Sequence, residues 1–231
     1  MPPALAACID DPAREVQLLL TEVRRDRGRV VLVDHALGLA PERWFAAASL
    51  VKLVVVLLAA ERLTALGLDE RARIALDAAP ASGAWSADEP ADEPFARTAR
   101  RLLVASENAP YNRLYDWLGP DAIGARLASL GWADARLNAR LGSTDVEANR
   151  RLAGSRVLDP QGRLRARAPA RVVAMPPPFP HGAVLRGRGW HDGERVIDGP
   201  HDFSRANFLP LACVHRLLLA LLYGEQADGL P

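Results

Sequence analysis

Residues 44–63 read "WFAAASLVKLVVVLLAAERL", and the fold hinges on whether this stretch is a strand or a helix. The Val54-Val55-Val56 run would suit a strand. However, no Gly or Pro interrupts the chain between Pro41 and Gly67, and that length predicts a helix. Apolar side chains on nearly every face predict that the helix is buried. Ser49 stands near its start, and three residues on stands Lys52, the only lysine among 29 Lys plus Arg residues.

Positions i and i+3 share one face of a helix, close enough for a serine hydroxyl and a lysine amine to hydrogen-bond. Burial and the positive end of the helix dipole both disfavour the ammonium form. A neutral lysine amine can take the serine proton and so prepare a nucleophile for acyl transfer. Arginine stays charged at any working pH and cannot do this. The competing reading is a lysine that snorkels from the edge of a core helix, with a serine nearby by chance.

The rest of the composition limits the alternatives. At 231 residues, 49% hydrophobic and 25% charged, the chain is expected to form a single globular domain over residues 1–231, as a monomer. A net charge of +1 with interspersed signs, and only 6% aromatics, give no reason to expect a nucleic-acid partner. The longest apolar run, Leu53 to Ala60, is too short to cross a bilayer. Two cysteines, Cys8 and Cys213, allow one bridge, but spacing alone does not establish it. "LAAC" at Leu5 to Cys8 is similar to a lipoprotein cleavage box; chance in an alanine-rich chain is the first reading, and residues 1–11 as the remnant of a signal region the second. With such a signal upstream, a periplasmic or lipid-anchored envelope protein is expected. The residues as written carry no export signal.

"DDPAREVQLLLTEV" predicts a helix capped by Asp10 or Asp11, with Pro12 in its first turn. "RVVLVDHAL" predicts a strand bounded by Gly28 and Gly38. Residues 80–94 read as a loop, "FARTARRLLVA" as a helix and "SENAP" as a break. Helices over "YNRLYDWLG" and "DAIGARLASLG" follow, then an irregular polar stretch from Asn138 to Ala170. A last apolar helix begins near Pro210. Six helices and one confident strand make an uneven count, because a lone strand has both edges unpaired. Either weak strands lie within residues 140–200, or the partners of the strand at 29–34 lie outside the chain.

The second chemical element is "SENAPYNRLYDWLG", in which Ser106 follows Ser49 by 57 residues and Asn108 stands two further on. By itself "SEN" is an ordinary helix-to-helix turn with a serine cap. Together, "FAAASLVKL" opening an apolar helix and S-x-N followed by "NRLYDWLG" resemble the penicillin-recognising serine hydrolases. The resemblance is to the class A β-lactamase-like branch, with its S-x-x-K, S-D-N and K-T-G motifs. It implies an α/β (α+β) fold with a helical domain and an antiparallel sheet. It also implies acyl-enzyme chemistry on a β-lactam or peptide-like amide, with no cofactor. Carried over, Ser49 is the nucleophile, Lys52 its base, and Ser106 the relay to the leaving nitrogen. Asn108 orients the substrate, and the Ser49 backbone N–H is one oxyanion donor. Glu147 in "STDVEANRR" is the first candidate for the deacylating acid and Asp145 the second; a surface acid paired with Arg150 or Arg151 is the alternative for Glu147. Glu107 replaces the family's aspartate, and its extra methylene is expected to loosen a structural hydrogen bond.

The third motif is missing, since no lysine follows Lys52. The resemblance therefore predicts an incomplete sheet, half an oxyanion hole, low activity and exposed strand edges. A non-catalytic binding relative and a D-alanyl-peptide carboxypeptidase or transpeptidase remain as alternatives. His181, His191 and His201, with Asp192 and Asp202, show no compact ligand spacing, and no metal site is expected.

Overall fold

The computed structural model describes residues 7–9, 11, 14–40, 42–192 and 194–224. The chain divides into two compact units, residues 46–208 and residues 1–45 with 209–231. About 33% of residues are helical and 23% lie in strands, all paired antiparallel, which makes the fold α+β.

In the unit of residues 1–45 and 209–231, β1 (Leu18–Asp26) pairs with β2 (Arg29–Leu37) along their whole length. The helix expected over residues 10–23 is thus a strand from Leu18 onward; the cap candidate Asp10 and the first-turn Pro12 lie outside the described residues. The turn explains the difference. Asp26 faces Arg29, so Arg27 and Gly28 form a two-residue loop with φ of 48° and 84°. Positive φ at both positions is the geometry whose twist matches a tight hairpin. The strand at 29–34 therefore has a partner, and it is the segment that had read as a helix. The C-terminal helix of this unit, Leu211–Tyr223, buries Cys213, Val214 and Leu217. Thr21 Oγ1 lies 2.5 Å from both Asp34 Oδ1 and His215 Nε2, tying helix to hairpin. Both cysteines are free thiols.

In the unit of residues 46–208, helix α1 (Val51–Ala65) is the buried segment its sequence predicts. Val51, Val54, Val55 and Ala59 are fully buried, a stripe at helical spacing. Helix α2 (Phe95–Leu103) is amphipathic, with Phe95, Thr98 and Leu102 inward and Arg97 and Arg100 outward. Helix α3 (Asn108–Leu118) is buried from Pro110 through Leu118 and packs on both α1 and α2. It starts two residues before Pro110, which sits in its first turn. Gly119 ends it at φ 83°, and Pro120 opens α4 (Pro120–Ser129) at the position where its missing N–H costs nothing.

The weak strands expected within residues 140–200 exist. A three-stranded sheet, in the order β3-β5-β6, joins Arg73–Leu76, Ser155–Leu158 and Leu164–Ala168. Shorter pairs follow: β4 (Arg151–Leu152) with β7 (Arg171–Val172), β8 (Leu185–Arg186) with β11 (His201–Asp202), and β9 (Gly189–Asp192) with β10 (Arg195–Asp198). A short helix, α5 (Val146–Asn149), lies in the stretch that had read as irregular. No described helix is long and apolar enough to cross a membrane.

Candidate active site

Ser49 sits in a single 3-10 turn, Ala48–Leu50, that leads directly into α1, and Lys52 is the second residue of that helix. The turn leaves the Ser49 side exposed while the lysine goes inward, with only 2% of its surface open to solvent. Ala48 has φ of 43°, which an L-residue with a Cβ adopts at a cost of about 1–2 kcal/mol. The second wall is the turn between α2 and α3. Ser106 also takes a left-handed conformation, φ 55°, so the chain doubles back and Asn108 can start α3. Strain of this kind persists only where the surroundings hold it, and here it brackets one cluster of polar atoms.

The four residues singled out in the sequence at 49, 52, 106 and 108 meet at the Lys52 amine. Its Nζ lies 3.2 Å from Ser49 Oγ, 3.0 Å from Ser106 Oγ and 2.9 Å from Asn108 Oδ1, and it also bonds the Ser106 carbonyl. Ser106 Oγ is in turn 2.9 Å from Ser49 Oγ, closing a triangle of two hydroxyls and one amine. A carbonyl and an amide oxygen can only accept, so two N–H groups satisfy them. A neutral amine then keeps its lone pair for a hydroxyl proton, and an ammonium has a third N–H to donate instead. The cluster is therefore satisfied with the proton on either side. Burial pushes the Lys52 amine below the usual lysine range, and the negative charge of Glu107 opposes this.

Glu107 is not loosened by its extra methylene. Its carboxylate accepts from Arg101 Nε at 2.9 Å and Nη2 at 2.6 Å, and these bonds hold it below the usual carboxylate range. The same guanidinium bonds Glu89 and Glu93, which are 4% and 3% exposed. Fully buried Arg113 closes the network from α3 against the same two acids. None of these residues was a site candidate from sequence. Two arginines twelve residues apart on consecutive helices, with two acids each followed by proline in a "loop", were the available signal.

An open groove of about 590 Å³ adjoins the cluster, lined among others by Trp85, Asp88, Glu89, Ser106 and Asn108. Glu147 is not brought to Ser49 by any hydrogen bond. Its side chain is 57% exposed and pairs with Arg150 at 2.8 Å. Asp145 caps α5 by accepting the Ala148 N–H at 2.9 Å. The segment carrying both acids is anchored by Arg140, whose buried guanidinium grips buried Asp116 at 2.9 and 2.5 Å.

Among the described residues no group of three His, Cys, Asp or Glu side chains is placed to hold a metal ion. His181 pairs with Asp134, and His201 packs between Trp190 and Phe203.

No curated protein matches the chain. A family model described as the β-lactamase enzyme family matches residues 11–175, a span that takes in the hairpin, the Ser49–Lys52 helix start, the Ser106–Asn108 turn and the Arg140-anchored segment. With well over half of its length matched, the chain belongs to the β-lactamase enzyme family.

Proposed function

We propose that this protein is a serine hydrolase that forms an acyl-enzyme at Ser49 from a β-lactam or a related amide. The observation that carries the reading is the convergence of Ser49, Lys52, Ser106 and Asn108 on one buried amine. In the proposed step Ser49 Oγ attacks the amide carbonyl carbon while its proton passes to neutral Lys52 Nζ. The C–N bond then breaks, and the proton moves from Lys52 through the Ser106 hydroxyl to the departing nitrogen. The Ser49 backbone N–H, at a helix start with no intrahelical partner due to it, is the donor available to the oxyanion. Asn108 holds Lys52 through its oxygen, which leaves its Nδ2 for a substrate carbonyl.

A specific observation favours a second reading of the later step. Glu147 is paired with Arg150 in solvent, and Asp145 is engaged in capping α5, so neither is committed to activating water at Ser49. Slow release of the acyl group would make the protein a penicillin-binding acyltransferase on D-alanyl-type peptides more than a β-lactamase. A family member that only binds would form no acyl bond at all.

The deciding experiment is labelling with a fluorescent penicillin, read by intact mass. A stoichiometric adduct on Ser49, absent in Ser49→Ala and in Lys52→Arg, supports acyl transfer. An adduct that survives Ser49→Ala, or no adduct on the unaltered protein, refutes it. The lifetime of the adduct separates hydrolysis from a stalled acyl-enzyme.

A further inference from the structure

We propose that Arg101 is a positioning residue for acyl transfer: by gripping Glu107 it fixes the Ser106–Asn108 turn against Lys52 and holds the Glu107 carboxylate engaged away from the amine. This rests on the Ser49–Lys52 reading above and adds a component that lies outside the S-x-x-K and S-x-N positions.

The geometry is unusually complete. All five N–H groups of the Arg101 guanidinium are in use: Nε and Nη2 on Glu107 Oε2, Nη1 and Nη2 on the two oxygens of Glu89, and Nη1 on Glu93 Oε1, all between 2.6 and 2.9 Å. Its own carbonyl accepts the Glu107 N–H at 3.2 Å, so one residue closes the turn through both backbone and side chain. Only a planar, five-donor cation can serve three carboxylates from two directions at once. The turn it closes contains Ser106 at φ 55°, a conformation that relaxes unless its neighbours hold it. Relaxation would carry away two of the four oxygens around Lys52 Nζ, the Ser106 hydroxyl and carbonyl.

The charges around the amine are few. From the 3-10 turn and α1 it meets only the neutral Ser49. From the α2–α3 turn it meets neutral Ser106 and Asn108, and the charge of Glu107, which favours the ammonium form. Behind Glu107 stand Arg101 and, more distantly, Arg97, which pairs with Glu93 at 3.3 Å. Glu89 and Glu93 are held by Arg101 and Arg113. Removing Arg101 thus exposes Lys52 to an uncompensated carboxylate, whereas removing the Glu107 charge relieves it. The two substitutions act on the amine in opposite directions, whereas loosening of the turn alone would shift it the same way in both.

Lys52 is the only lysine, so protein made with 13Cε-lysine gives one lysine resonance whose pH titration reports this site without assignment. The expected result is a midpoint above that of the unaltered protein in Arg101→Gln, below it in Glu107→Gln, and close to it in the double variant. If Arg101→Gln fails to fold because buried Glu89 and Glu93 are left to share Arg113, the Glu89→Gln/Arg101→Gln variant carries the same expectation. An unchanged midpoint in the Arg101 variants, or shifts of the same sign in Arg101→Gln and Glu107→Gln, would overturn the proposal. Penicillin labelling of the same proteins separates the two inferences. Shifts without any adduct at Ser49 retain the clamp and refute acyl transfer, and an adduct without shifts does the reverse.

Discussion

Replacing Arg140 by Met tests how the segment carrying Glu147 and Asp145 is held. Arg140 is fully buried and makes two bonds to Asp116, one to the Ala148 carbonyl and one to the Arg151 carbonyl. Met fills similar volume but leaves a buried carboxylate with only the Ala153 N–H, and two carbonyls with a lost donor. Removing one partner of a buried ion pair costs about 3–5 kcal/mol. Against a total stability of about 5–15 kcal/mol this is a large share. In urea, followed by tryptophan fluorescence, the midpoint should fall by roughly 1–3 M. The pH dependence carries a sign that packing loss alone would not. Burial holds the Asp116 carboxyl above its usual range, and Arg140 opposes that shift. Without Arg140 the folded pKa rises further above the unfolded one. Such an acid costs stability in full at pH above its folded pKa, and the cost shrinks below that value and is gone at the unfolded pKa. The deficit of the variant should therefore shrink as pH falls toward the ordinary aspartate range, and Asp116→Asn in the same chain should recover part of it. A deficit below about 1 kcal/mol, or one that grows on acidification, would refute the reasoning. None of Ser49, Lys52, Ser106 and Asn108 bonds Arg140, so penicillin labelling of the folded variant should persist.

Two smaller perturbations probe the same placements. Glu147→Gln removes an exposed ion pair with Arg150, and its effect on stability should stay within about 0.5 kcal/mol; a loss of several kcal/mol, or a collapse in the rate at which a Ser49 adduct is released, would show that the side chain works elsewhere. Cys213 is fully buried with its thiol pushed up to about 12 by desolvation, so it should resist alkylation at pH 8 until the protein is unfolded. Modification of Cys213 in native buffer, located by peptide mass, would contradict that burial.

What was legible in the sequence followed from local rules. α1 could be read because an uninterrupted apolar stretch has one buried solution, and α3 and α4 because Gly119 and Pro120 punctuate them. Over β1 the sequence predicts a helix because Val16, Leu19, Leu20 and Val23 fall at helical spacing, although the segment from Leu18 onward is a strand. The Arg27-Gly28 turn and the β-branched run of β2 decide the matter, and they lie downstream of the ambiguous segment. The strands between Arg151 and Asp202 are mostly two to five residues long, too short for an alternating pattern to stand out.

The site divides along a different line. Ser49 and Lys52 were legible because three residues along a helix fix two side chains on one face, and Ser106 with Asn108 because a second motif followed in order. What sequence could not supply was the sign of each acid's environment. Glu89 and Glu93 lie in "SADEPADEP", which composition reads as solvated loop, yet both are buried because Arg101 and Arg113 reach them from two helices. Glu147, for which the family resemblance implies a catalytic task, pairs with Arg150 three residues away, its side chain exposed. An acid's role depends on which cation arrives from elsewhere in the chain, and that is a property of packing, not of spacing. The same logic bears on Lys52. Burial alone would favour the neutral amine, and Glu107 alone would favour the ammonium; Arg101 decides how much of the carboxylate's charge the amine feels. In the proposed mechanism the Lys52 base is therefore set by a pair of residues, one inside the S-x-N motif and one five positions before it, and substitutions at either should be read against the other.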